Sequence, residues 1–79
     1  MIGVSSAYRR KGFGSKLMER LLKEFLIRNI PYVELEVSID NISAISFYNK
    51  HGFEIVDRIK HFYQDGRDAY VMRRQILSH

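Results

Sequence analysis

From Phe13 onward the apolar positions fall at helical spacing. Phe13, Leu17, Leu21 and Phe25 stand four apart and are joined by Met18, Leu22 and Leu26. Lys16, Glu19, Arg20, Lys23 and Glu24 fill the positions between them. One apolar stripe with a polar opposite face predicts a helix over about Gly14–Arg28. Asn29-Ile30-Pro31 closes it, because proline pushes the residue before it out of the helical region. The period then changes to two. Tyr32–Ile39 is rich in β-branched residues and reads as a strand, with Val33, Leu35 and Val37 on one face and Glu34, Glu36 and Ser38 on the other.

Asp40-Asn41 offers a helix cap, and a short helix is expected over Ile42–Lys50. Gly52 sits where a glycine stop belongs. Phe53–Tyr63 and Asp68–Arg74 are expected as two further strands, and Gln64-Asp65-Gly66-Arg67 between them carries the Asp-Gly hairpin signal. At the amino end, Met1-Ile2-Gly3-Val4 reads as the last residues of a strand and Ser5–Lys11 as a loop. The expected order is β-α-β-α-β-β, an α/β arrangement. Residues 2–38 are expected to form a βαβ unit with parallel strands and a right-handed crossover.

Seventy-nine residues make one small domain with a marginal core. No cysteine is present, which excludes disulfides and thiolate-held metals. The histidines at 51, 61 and 79 have no ligand spacing and read as surface residues at 51 and 61. No stretch is apolar enough to span a membrane, and no secretory signal follows Met1, so a soluble cytoplasmic protein is expected. The net charge of +4 gathers at Arg9-Arg10-Lys11 and at Arg73-Arg74, which favours an anionic partner.

Position gives the first basic cluster its meaning. Arg9-Arg10-Lys11-Gly12-Phe13-Gly14-Ser15 lies between a strand end and a helix start. Free amides at a helix amino end bind anions, glycines let the backbone approach a phosphate, and arginine can fork onto its oxygens. The spacing is neither a Walker A loop nor a dinucleotide fingerprint. The plainer reading is a glycine-containing turn with incidental basic residues. The helix that follows shows no base-reading constellation, which favours a compact anion over a nucleic-acid duplex.

Tyr8-Arg9-Arg10-Lys11-Gly12-Phe13-Gly14 after Val4 resembles the acetyl-coenzyme A signature of the GNAT N-acetyltransferase superfamily. Leu35-Glu36-Val37, Asn41, Ala44, Phe47-Tyr48 and Gly52-Phe53 are similar to that family's second conserved block. The ending from Phe62 to Met72 resembles one branch, the ribosomal-protein alanine and archaeal N-alpha-acetyltransferases. The resemblance implies the C-terminal half of a GNAT fold over residues 1–79, lacking the N-terminal strands and helices. It implies acetyl-coenzyme A as cosubstrate and transfer of its acetyl group to a primary amine, foremost a protein N-terminal α-amine. A small amine, a lysine side chain or an inactive coenzyme-binding remnant remain as alternatives.

Residue by residue, the resemblance implies backbone contacts to the pantetheine arm from Ile2, Gly3 and Val4. It implies a pyrophosphate cradle over Arg10, Lys11, Gly12, Phe13, Gly14 and Ser15, with Arg9 beside it as a further coenzyme-binding residue and Asn41 meeting the pantetheine region. Two carboxylates on one strand face suggest that the face meets a polar cleft. The resemblance places a general base at Glu36 and leaves Glu34 an ordinary surface residue. Tyr48 is the candidate acid for the leaving thiolate; on residues alone, packing beside Ile45 and Phe47 is its rival role. Phe62 and Tyr63 are candidates for the peptide entrance. With only a stub before residue 5, Val4 and the Val33-Leu35-Val37 face are expected to lack part of their cover. Self-association through an exposed sheet edge is therefore expected as well.

Overall fold

A computed structural model describes residues 13–77, and the expected first strand lies outside the described residues. The described chain runs α1 (Phe13–Ile27), β1 (Tyr32–Ser38), α2 (Ile42–Lys50), β2 (Glu54–Ile59) and β3 (Ala69–Gln75). The sheet order is β1-β3-β2, and β3 pairs antiparallel with both neighbours. β1 and β2 therefore point the same way with the last strand of the sequence inserted between them. The parallel partner expected before α1 lies among the residues not described.

α1 turns a slightly different line inward from the one its stripe suggests. Gly14 and Met18 are buried, and Leu21, Leu22 and Phe25 pack against the core. Leu17 and Leu26, read as part of the stripe, are 40% and 53% exposed. The helix stops at Asn29, whose φ is 59°, rather than by the proline alone. The Asn29 N–H donates to the Leu26 carbonyl at 3.1 Å and the Ile30 N–H to the Phe25 carbonyl at 3.0 Å. This paired closure needs a left-handed residue, a conformation asparagine tolerates. Pro31 then anchors the chain's other end, since its carbonyl accepts from Ile76 N–H at 2.9 Å.

β1 alternates as expected, with Leu35 3% and Val37 5% exposed while Glu34 and Glu36 face outward. Leu35 and Val37 form one cluster with Met72 of β3, Phe53, Met18 of α1, and Ala44 and Tyr48 of α2. Both helices thus cover the same sheet face. The expectation that the Val33-Leu35-Val37 face would lack cover is overturned, and with it that ground for self-association. On the outer face Arg73 pairs with Glu34 across the strands, its Nε 2.8 Å from Oε2, and its guanidinium lies 4.6 Å from the Tyr32 ring.

The two C-terminal strands are shorter or shifted from expectation. β2 ends at Ile59 rather than Tyr63, and β3 runs from Ala69 to Gln75. Asp65-Gly66 does turn the chain, with Gly66 at φ 90°, but inside a loop over residues 60–68 rather than a tight hairpin. His61 at φ 55° ends the strand pairing. Its amide donates to Asp68 Oδ1 at 3.0 Å, and its Nδ1 is 3.2 Å from the Gly66 carbonyl. Asp68 also takes Arg58 Nε at 2.8 Å. A bulge between Ile55 and Asp57 bends β2, which is exposed along its whole length.

α2 is closed at both ends by side chains and glycine. Asn41 Oδ1 accepts the Ala44 N–H at 3.2 Å, as the cap reading expects. At the carboxyl end Gly52 adopts φ 86°. Its N–H donates to the Asn49 carbonyl, and the Phe53 N–H to the Tyr48 carbonyl, both at 3.0 Å. Arg74 Nη1 donates to the His51 carbonyl at 3.2 Å, and a Cβ on Gly52 would stand 1.9 Å from that Nη1. Gly52→Ala must therefore strain the backbone by roughly 1–2 kcal/mol. It must also displace a hydrogen bond worth about 1 kcal/mol. Urea denaturation is expected to show a loss of roughly 2 kcal/mol. A variant as stable as the parent would show that Arg74 and the turn relax freely.

Candidate functional site

The carboxyl end of β1, the turn after it and one face of α2 enclose a cavity of about 550 Å³. Glu36, Val37 and Ser38 come from the strand, Asp40 and Asn41 from the turn, and Ala44 and Tyr48 from the helix. Asn41, Ala44 and Tyr48 are spaced three and four apart, which puts them on one helical face. Tyr63 and Arg67 close the far side from the loop between β2 and β3. Four of the residues expected from sequence, Glu36, Asn41, Tyr48 and Tyr63, are thus brought together. They are separated by up to 27 positions in the chain but by one cavity in space.

Tyr48 is 7% exposed, with its ring edge-on to Phe53 at 5.6 Å and to Phe47 at 5.4 Å. It is part of the core cluster and of the cavity wall at once. Glu36 lies opposite Val71 in the sheet and is exposed. Asn41 spends its Oδ1 on the helix, where Ser43 Oγ also donates to it at 3.2 Å. Its Nδ2 can only donate.

Phe62 does not line the cavity. It is 44% exposed and packs edge-on to Tyr63 at 5.0 Å. Arg67, Ser38 and Asp40 do line it, and sequence reasoning did not single them out. Arg67 Nε donates to Asp65 Oδ2 at 2.7 Å, and its guanidinium lies 5.6 Å from the Tyr63 ring. The Arg67 backbone N–H, foremost, and its guanidinium hold the Asp65 carboxyl below the usual carboxylate range. An Asp two residues before an arginine in a glycine turn is the one sequence signal that could have pointed there.

Of the expected coenzyme contacts, Ile2, Gly3 and Val4 along the pantetheine arm and Arg9, Arg10, Lys11 and Gly12 at the phosphate turn lie outside the described residues. Phe13 begins α1, and Gly14 is buried in its first turn. Ser15 Oγ is joined to His51 Nε2 by a hydrogen bond of 3.1 Å. His51, expected at the surface, is half-buried at the end of α2, its ring 4.9 Å from that of Phe47. Burial, first, then the Lys50 charge hold its pKa below 6.5 against the pull of Glu19, with the smallest contribution from Arg74.

Between the two values the unfolded chain binds a proton that the folded chain refuses. His51 therefore adds stability above pH 6.5 that fades as the pH falls through that value and through the folded pKa. The denaturation midpoint of the parent is expected to fall more steeply than that of His51→Gln on going from about pH 7 to about pH 5. Parallel curves would mean that His51 titrates alike in both states.

Among the described residues no helix is long and apolar enough to cross a membrane, and no group of three His, Cys, Asp or Glu could hold a metal ion. The fold and the cavity define an α/β arrangement with a groove at a strand end, walled by two carboxylates, an amide, two phenols and a guanidinium. The chain belongs to the GNAT acetyltransferase family, whose family model, described as Acetyltransferase (GNAT) family, matches residues 1–53. An N-alpha-acetyltransferase of Sulfurisphaera tokodaii is 42% identical over 72 residues, covering 90% of this chain and 43% of that protein. Ard1 from Thermoplasma volcanium matches in structure with a TM-score of 0.87 and 40% identity, over 99% of this chain and 53% of that one. Arabidopsis thaliana Naa50, solved in complex with the bisubstrate analogue CoA-Ac-MVNAL, matches with a TM-score of 0.81 and 38% identity, over 95% of this chain and 51% of that one. The chain spans about half the length of the relatives it matches.

Proposed function

We propose that this chain carries the coenzyme-binding and proton-transferring part of an N-acetyltransferase acting on protein N-terminal α-amines, with acetyl-coenzyme A as cosubstrate. The observation that carries the reading is the convergence of Glu36, Asn41, Tyr48 and Tyr63 on one cavity in a chain of this family. The names of the relatives support the N-terminal amine as acceptor, and the bisubstrate complex of one of them supports the cosubstrate.

The donor set fits that cosubstrate at the end of its pantetheine arm. An amide donor on Asn41 beside the end of β1 suits an arm built of amides, and no charged side chain is needed there. The phosphate end would fall to the amino end of α1, where Gly14 has no Cβ to obstruct approach and the first amides have no intrahelical acceptor. Arg9, Arg10, Lys11 and Gly12 would complete that contact, with Ile2, Gly3 and Val4 along the arm.

Acetyl transfer forms an N–C bond, breaks the C–S bond and moves two protons. An N-terminal amine has a pKa of ~7.7–8.0 and so is readily neutral; as the sulfur leaves with one proton, the attacking nitrogen must give one up, for which a weak base suffices. Glu36, exposed at the cavity, takes that proton directly or through one water. Tyr48, on α2 at the wall of the same cavity, gives its proton to the departing thiolate. Tyr63 borders the acceptor's entrance, with Phe62 beside it. Glu36 and Asp40 lend the mouth negative charge that draws a cationic amino terminus.

Calorimetric titration of the purified chain with acetyl-coenzyme A tests the cosubstrate. Transfer to a peptide with a free amino terminus, against one with a blocked terminus and an internal lysine, tests the acceptor. Absence of binding would remove the first half of the reading, and preference for the blocked peptide would remove the second.

A further inference from the structure

We propose that His51 is a positioning residue that fastens the first turn of α1 to the carboxyl end of α2, and so sets where the amides of Gly14 and Ser15 stand relative to Tyr48. The contact spans 36 positions of sequence, with His51 Nε2 3.1 Å from Ser15 Oγ in a partly buried setting. Ser15 sits in the first turn of a 15-residue helix. A hydroxyl there ordinarily competes for its own backbone or faces water. Here it is engaged by the other helix instead.

Every side of His51 is held. Its backbone N–H donates to the Tyr48 carbonyl at 3.0 Å, so it is bonded directly to the turn that bears the phenol. Its carbonyl accepts Arg74 Nη1 at 3.2 Å, which ties it to β3. Its ring lies 4.9 Å from that of Phe47, which in turn meets Tyr48 edge-on. The side chain that reaches Ser15 therefore starts from a fixed base. Met18 already packs α1 into the core, but apolar packing tolerates small rotations and slides of a helix. A hydrogen bond at the helix tip does not, because its strength falls steeply with angle.

Three charged groups face the ring: Lys50 on its own element, Arg74 from β3 and Glu19 from α1. Glu19 lies one turn along from Ser15, so the charge that α1 brings near His51 stands beside the residue that bonds it. The balance keeps the imidazole neutral near neutrality, leaving one nitrogen free to accept and the other to donate.

The consequence rests on the reading above, that the coenzyme's phosphates meet the amino end of α1. Amides aimed at a phosphate lose effect when displaced by even ~1 Å, and the acetyl carbon is then displaced from Tyr48 as well. His51 touches neither group and acts through Ser15.

The test uses the whole 79-residue chain with Ser15→Ala, His51→Ala, the double variant and His51→Gln, which keeps a hydrogen-bonding nitrogen. Two readouts are taken. The first is amide hydrogen exchange at Leu17 and Met18, whose N–H groups close the first turn of α1. The second is the dissociation constant for coenzyme A by calorimetry. Each single alanine variant is expected to speed exchange at Leu17 and Met18 about five- to tenfold, with β3 amides unchanged, as for loss of one hydrogen bond. Affinity for coenzyme A is expected to fall by a similar factor. The double variant should be no worse than either single, and His51→Gln should restore most of both.

Unchanged exchange at Leu17 and Met18, or equal acceleration at β3, would overturn the fastening. Faster local exchange with unaltered coenzyme affinity would overturn the positioning. A parent that binds no coenzyme A while its variants still show the local exchange change would remove the functional reading and with it the positioning, but leave the contact established. The two failures are thereby told apart.

Discussion

Tyr48→Phe is expected to lower kcat for acetyl transfer about a hundredfold, the lower end of what one positioned acid contributes. Coenzyme affinity is expected to stay close to that of the parent. The ring does the packing: it is edge-on to Phe53 at 5.6 Å and to Phe47 at 5.4 Å, and phenylalanine preserves both contacts. In the proposed role the hydroxyl acts where the thiolate develops charge, so the deficit should fall on kcat rather than on binding. Acetyl transfer to a peptide amino terminus, with calorimetry alongside, makes the measurement. Full activity in Tyr48→Phe would return the residue to its packing role and leave the leaving thiolate to water.

The largest loss of stability is expected from Phe53→Ala. Phe53 is fully buried, the bulkiest of the completely enclosed side chains. It also completes the α2 closure, where its N–H reaches back to the Tyr48 carbonyl and its ring meets the Tyr48 ring. Truncating such a phenylalanine costs ~3–5 kcal/mol through lost burial and the cavity left behind. A small domain has ~5–15 kcal/mol in total, so a large share of the stability should go. Ile55→Ala, at a strand position 48% exposed, is expected to cost less than about 1 kcal/mol. Urea denaturation of the two variants side by side decides. Equal losses would mean that the core closes over the missing ring.

Packing as deep as that of Phe53 is invisible in the sequence, where Phe53 and Phe62 look alike. One is enclosed between α2 and β3, and the other stands 44% exposed on a loop. The elements that were legible are those with a periodic signature. α1, β1 and α2 fall within a residue or so of expectation, because helical spacing, alternation and the Asn41 and Gly52 caps are local signals. β2 and β3 were less legible. Nothing local says that pairing stops at Ile59, since that stop comes from His61 in a left-handed conformation and from Asp68 reaching back to its amide. The catalytic candidates were legible through motif resemblance, helped at Glu36 by the paired carboxylates on one strand face, and their convergence was not. Arg67 and Asp40 join the cavity because a loop and a turn fold over it.

Taken alone, the sequence determined the helix at Phe13–Ile27, the alternating strand after Pro31, the capped helix bearing Tyr48, and the family to which the chain belongs. Each rests on neighbours in the chain, where side-chain period and turn chemistry act over a few residues. Only the tertiary structure decided that β3 inserts between β1 and β2, that both helices cover one face, and that His51 reaches Ser15 rather than water. Those outcomes depend on which buried surfaces fit together across tens of residues. Hydrophobic burial is non-directional and leaves no local mark, so the partner of a buried side chain is settled by packing and not by its place in the chain.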